Sequence, residues 1–178
     1  MFYLLFKNQW VEHELSYLTQ EADQARLDAT QPGLNKPYNV ANQRFRLKDG
    51  VPVITLSDIM SKEILHVTPE TPLNVCQHIM DQEAVHHLAV FKDGQFSGLI
   101  SDRDIKLVAR IPNSSKMKAM EVSSTIILAA NENTTVGRTC QVFLKEGISA
   151  LPILDEDLNI CGIVTLRDMI RILSHLLV

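Results

Sequence analysis

The feature that most constrains this chain is an internal repeat. A shift of 63 residues sets Ile64-Leu65-His66-Val67 over Ile127-Leu128-Ala129-Ala130, and Val85-His86-His87-Leu88-Ala89-Val90-Phe91 over Ile148-Ser149-Ala150-Leu151-Pro152-Ile153-Leu154. After one inserted residue in the second copy's turn, Gly98-Leu-Ile-Ser-Asp-Arg-Asp104 lies over Gly162-Ile-Val-Thr-Leu-Arg-Asp168. Self-similarity at a fixed spacing means that one supersecondary unit is used twice.

Hydrophobic period and turn residues predict the order of elements in the unit. A short strand (64–67, 126–130) precedes a helix whose apolar face carries Leu73, Cys76, Ile79 and Met80, or Val136, Thr139, Val142 and Phe143. A second strand (88–91, 151–154) reaches a hairpin turn, Lys92-Asp-Gly94 or Asp155-Glu-Asp157, and returns as 96–100 or 160–164. A last helix starts after Ser101 or Thr165, where a hydroxyl caps free backbone N–H groups. One βαββα unit of roughly 50 residues is marginal alone. The fold class is therefore α+β: two repeats, 57–112 and 113–178, packed about a pseudo-twofold axis with helices outside and crevices between them.

Residues 1–56 read differently. Their six basic and six acidic residues cancel, so the net negative charge lies in the repeats. Trp10, His13, Leu15, Tyr17, Leu18 and Ala22 predict a helix over 9–29, ended by Gln31-Pro-Gly33. The stretch from Leu34 to Gly50 is polar, with Tyr38, Val40, Phe45 and Leu47 as anchors. The segment reads as an N-terminal helical and extended arm, docked on the main domain or left as a leader without a fixed place.

Composition narrows the partners. With 17 Lys+Arg against 21 Asp+Glu, the chain has no basic excess to attract nucleic acid or an anionic membrane. The opening Met1-Phe-Tyr-Leu-Leu-Phe6 is too short for a signal peptide or a membrane span. The three cysteines, Cys76, Cys140 and Cys161, lack metal-site spacing and read as small core residues of a cytoplasmic protein. No nucleophile stands beside a base and no metal motif occurs, so an enzyme is not expected.

The sequence resembles the CBS domain family, named for cystathionine β-synthase, in its tandem arrangement. The resemblance rests on Ser57-Asp-Ile-Met60, on Leu151-Pro-Ile-Leu-Asp155, and on the two Gly-to-Asp motifs ending at Asp104 and Asp168. Physically, glycine at 98 or 162 permits close backbone approach to a ligand. Ser101 or Thr165 stands at a helix N-terminus that favours a phosphate oxygen. Asp104 or Asp168, one turn on, accepts hydrogen bonds from a ribose diol, and the set suits an adenosine nucleotide. The alternative is a capping box that serves only the helix.

The resemblance implies that each cleft is shared between repeats. Ile163, Thr165 and Asp168 then face Met60, Leu65, Val85 and His86, while Leu99, Ser101 and Asp104 face Ser123, Leu128, Ile148 and Ser149. Arg103 and Arg167 either reach a phosphate or stay solvated. It also implies a regulatory module that senses an adenine-containing ligand: AMP, ADP, ATP, S-adenosylmethionine, or an NAD-type or dinucleotide messenger. The rival is a dimerisation module with empty clefts. A homodimer is expected in either case, from the stripe Met169, Ile172, Leu173, Leu176 and Leu177, together with a regulated protein that the sequence does not identify. The Asp104 cleft is expected to bind more tightly, because the Asp168 cleft must accommodate His86.

Overall fold

The computed structural model describes residues 1–19 and 54–176. Each repeat builds one sheet. In the first, β3 (His66–Val67) pairs in parallel with β4 (His87–Lys92), which returns antiparallel as β5 (Gln95–Ser101). In the second, β6 (Leu128–Asn131), β7 (Ala150–Leu154) and β8 (Ile160–Thr165) repeat that order. The register shifts between Val90 and Phe91 and again between Ile153 and Leu154, the same place in the two copies. The first hairpin turns on Asp93 and Gly94, both at positive φ (50° and 77°), which matches the right-handed strand twist.

The helices follow the predicted order. α2 (Leu73–Gln82) and α3 (Asp102–Val108) belong to the first repeat, α5 (Val136–Glu146) and α6 (Leu166–Leu176) to the second. α2 buries Leu73, Cys76 and Met80, and α5 buries Thr139, Val142 and Phe143, which are the faces the sequence period picks out. α5 ends on Gly147 in the left-handed region, φ 66°, a conformation that costs glycine little.

Two short helices change places. α1 (Leu56–Ile59) precedes the first repeat in sequence, yet Leu56 is fully buried in the second repeat's core, and its N–H donates to the Thr134 carbonyl at 2.9 Å. α4 (Ala119–Val122) precedes the second repeat, yet Ala119 is buried in the first repeat's core and donates to the Thr71 carbonyl at 2.8 Å. Each repeat is completed by the segment that leads into the other. The chain between α1 and β3, and between α4 and β6, therefore runs along the seam where the clefts lie.

The N-terminal residues differ from the expected helix. β1 (Phe2–Phe6) and β2 (Gln9–Glu12) form a hairpin, and the helical turn begins only at Ser16. Lys7 and Asn8 both have positive φ (48° and 63°), so the connection is a two-residue turn of the kind that joins twisted strands. β1 pairs antiparallel with β6, giving a five-stranded sheet in the order β2-β1-β6-β7-β8. The strand is buried on both faces: Phe2 enters the second repeat's core, Tyr3 packs on Ala129 and Leu154, and Leu5 joins Ala89, Phe96 and Ile127 between the sheets. Trp10 stacks on Phe96 of the first repeat with centroids 5.7 Å apart. The apolar stripe expected over 9–29 supplies two core residues, Leu15 and Leu18. Ala22, Gln31-Pro-Gly33 and the anchors Tyr38, Val40, Phe45 and Leu47 lie outside the described residues.

Of the stripe expected on the last helix, Met169 is buried in the core and Ile172 is half-buried, and among the described side chains of α6 the exposed large apolar ones are Leu166 and Ile170. The Leu173 and Leu176 side chains, and Leu177, lie outside the described residues.

Candidate nucleotide clefts between the repeats

Two cavities on the seam hold the motif residues. The larger, about 540 Å³, gathers Leu65, Val85 and His86 from the first repeat with Ile163, Thr165, Arg167 and Asp168 from the second. The smaller, about 210 Å³, gathers Leu99, Ser101, Arg103 and Asp104 from the first repeat with Leu128, Ile148 and Ser149 from the second. Each cleft is thus built by the motif of one repeat and the strands of the other.

Two expected residues are displaced, by one position and in the same sense. Met60 and Ser123 do not line the cavities; Ser61 and Ser124 do. The cause is the strand seam: Ser61 exchanges both backbone hydrogen bonds with Ile163, at 3.0 Å each, and Ser124 exchanges both with Leu99, at 3.1 and 2.9 Å. Alternation then points the preceding residue at the glycine. A Cβ on Gly162 would stand 2.5 Å from the Met60 Sδ, and one on Gly98 would stand 3.0 Å from both the Ser123 Oγ and the Ser124 carbonyl oxygen. The motif glycines make room for the incoming chain.

The acid of each motif does cap its helix. Asp104 Oδ2 accepts from the Ser101 backbone N–H at 2.8 Å and from its hydroxyl at 2.6 Å. Asp168 Oδ2 accepts from the Thr165 N–H at 2.9 Å and from its hydroxyl at 2.7 Å. In both boxes one carboxylate oxygen is consumed and Oδ1 stays outside the cap. The guanidinium of Arg171 stands 3.8 Å from Asp168 Oδ1, a residue the sequence reading passed over although it lies one helical turn beyond that acid.

The larger cavity holds more charged groups than the smaller. Arg103, Arg167 and Arg171 all border the larger cavity, against Glu63, Asp102 and Asp168. Arg167 Nη1 donates to the Ala84 carbonyl at 3.4 Å. Asp102 is engaged by Lys106 at 2.7 Å and by His86 Nδ1 at 3.3 Å, and the Lys106 hydrogen bond holds its carboxyl below the usual carboxylate range. His86 therefore turns to Asp102, at the cavity wall, and is largely exposed. His87, which the sequence reading left out of the site, borders both cavities and meets Ser149 Oγ at 3.1 Å. Burial pushes the His87 imidazole below the ordinary histidine range. The Asp104 cleft is the smaller of the two, and the histidine beside its Ser101 is His87.

The cysteines are free thiols; Cys76 is buried and the other two half-buried, and burial raises the pKa of all three. Among the described residues no group of three or more His, Cys, Asp or Glu side chains is placed to hold a metal ion, and no helix is long and apolar enough to cross a membrane.

Two sheets completed by exchanged segments, with a Gly-to-Asp motif at each cleft, define a tandem repeat pair. The chain matches the CBS domain family over residues 56–110 and 119–175 and belongs to it. It is 28% identical over 116 residues to the CBS domain-containing protein YhcV of Bacillus subtilis, covering 65% of this chain and 82% of that one. It is 26% identical over 112 residues to the inosine-5'-monophosphate dehydrogenase of Thermoplasma acidophilum, covering 63% of this chain but only 22% of the dehydrogenase. Among solved structures, the CBS domain pair of protein MJ0100 in complex with 5-methylthioadenosine and S-adenosyl-L-methionine superposes with a TM-score of 0.64 at 23% identity, over 70% of this chain and 98% of that one. CBSX2 in complex with AMP gives 0.59 at 20% identity, over 70% and 99%.

Proposed function

We propose that this CBS pair is a regulatory sensor that catalyses no reaction and takes an adenosine-containing nucleotide in the Asp168 cleft. The carrying observation is the 540 Å³ cavity bordered by Asp168, the α6 N-terminus and three arginines. That volume falls within the range of about 300–1,000 Å³ usual for small-molecule sites, whereas 210 Å³ does not. In this reading Asp168 Oδ1 accepts a ribose hydroxyl, and Arg167 and the first N–H groups of α6 face a phosphate. The complexes of MJ0100 and CBSX2 support the adenosine class. The free thiols agree with a reducing, cytoplasmic setting.

Calorimetric titration with AMP tests the reading. The parent protein is expected to bind one equivalent. Asp168→Ala is expected to lose about ten- to a hundredfold in affinity, the worth of a charge-assisted hydrogen bond of roughly 1.5–3 kcal/mol. Asp104→Ala loses the same kind of helix cap and is expected to bind as the parent does, so a comparison of the two separates ligand contact from folding. Absence of heat and of thermal stabilisation with AMP, ADP, ATP and S-adenosylmethionine would favour the dimerisation module with empty clefts.

We infer a homodimer from the exposure of Leu166 (43%) and Ile170 (64%) on α6. Light scattering of the full chain at micromolar concentration is expected to give twice the mass of 20.0 kDa. A monomer there would remove this part of the proposal.

A further inference from the structure

The two repeats differ at one pair of equivalent positions beside the clefts. The first repeat opens β4 with His87, paired to Ser101; the second opens β7 with Ala150, paired to Thr165. Ala150 ends at its methyl group. The His87 ring instead crosses the seam and meets Ser149 Oγ, 62 residues away in sequence, at 3.1 Å. His87 and Ser149 are both in the lining of both cavities, so the contact forms the wall between them.

We propose that the His87–Ser149 contact is a partition that confines this chain to one nucleotide, by occupying the space beside Ser101 in which a second nucleotide would sit. The inference rests on the reading of the Asp168 cleft as a nucleotide site and deepens it. The chain carries its own comparison, because the position equivalent to His87 is Ala150, paired to Thr165, and the cavity that Thr165 borders is the larger one. The partition also explains why two motifs with the same capping geometry border cavities of such unequal size. Burial, which keeps the ring below the ordinary histidine range, favours the neutral imidazole that a hydroxyl partner suits.

His87→Ala makes the two repeats alike at this position, and His87→Ser removes the ring while retaining a small hydrogen-bonding side chain. AMP is titrated calorimetrically into the parent and both variants, each checked for a cooperative thermal transition. The parent is expected to bind one equivalent and each variant two. Asp104→Ala added to His87→Ala is expected to return the stoichiometry to one, which assigns the new site. One equivalent of unchanged affinity in every folded variant would overturn the partition while leaving the Asp168 site intact. Two equivalents in the parent would overturn it as well. No binding in the parent would remove the nucleotide reading itself, and the partition with it.

Discussion

The two repeats have one plan and unequal surroundings. Both have the βαββα order, both bulge at the same residue, and both close the last helix with a hydroxyl–Asp box. They differ at the outer edge of the sheet. β6 is covered by β1, whereas β3 is an edge strand of two residues with β4 on its one side. They differ again at His87 and Ala150, where one ring divides the seam. The motif sets what each cleft has in common, and residues outside the motif set how much room it holds.

The largest expected effect concerns the covered edge. A variant lacking residues 1–12 exposes the β6 edge and removes Phe2, Tyr3 and Leu5, which are 3%, 9% and 8% exposed. Each buried side chain of this size contributes about 1.5–3 kcal/mol, so their sum reaches the range of a whole domain's stability, about 5–15 kcal/mol. Urea unfolding is expected to lose its cooperative transition or to shift far to lower denaturant. A midpoint equal to that of the full chain would mean that the second repeat stands, like the first, without a covering strand.

The repeat, the element order and fourteen of the residues bordering the clefts on their motif and strand sides were legible because they depend on local period and on the shift of 63 residues. What was not legible depends on long-range placement. Trp10, Leu15 and Leu18 fit a helical stripe, but a two-residue turn at Lys7-Asn8 and the open edge of β6 draw residues 9–12 into a strand. The choice between Met60 and Ser61, and between Ser123 and Ser124, turns on seam hydrogen bonds that no local pattern encodes, although serine at both 61 and 124 was a trace of it in the repeat. The pair His86-His87 stands out in the sequence, but alternation sends the two rings to opposite sides, and the partner that selects His87, Ser149, belongs to the other repeat.

A smaller effect is expected where the incoming chain crosses each motif glycine. Gly162→Ala and Gly98→Ala are both expected to destabilise by about 1–3 kcal/mol through overpacking. They should respond differently to a second change. The nearest atoms to a Cβ at 162 belong to the Met60 side chain, so Met60→Ala is expected to restore part of the loss. At 98 the Ser124 carbonyl oxygen stands as near as the Ser123 hydroxyl, so Ser123→Ala is expected to restore little. Equal rescue in the two double variants, read from denaturant midpoints, would show that the seams are more alike than their contacts indicate.

The smallest effect separates the repeats by proton linkage, since His87 titrates and Ala150 does not. Burial lowers the His87 pKa below its ordinary 6.5, against the opposing pull of Asp102 and Asp104. Between the folded value and 6.5 the unfolded chain binds a proton that the folded chain does not, so stability falls as the pH drops through that window. The contribution is fully present above 6.5 and is lost on the acid side. Asp102, whose pKa lies below 3.8 through its bond to Lys106, gives up its own contribution only at still lower pH and leaves the window clear. The fall in urea midpoint between about pH 7.5 and pH 5.5 is therefore expected to be smaller in His87→Ala than in the parent. Equal slopes would place the imidazole in an environment as wet as a surface histidine's and would remove this difference between the repeats.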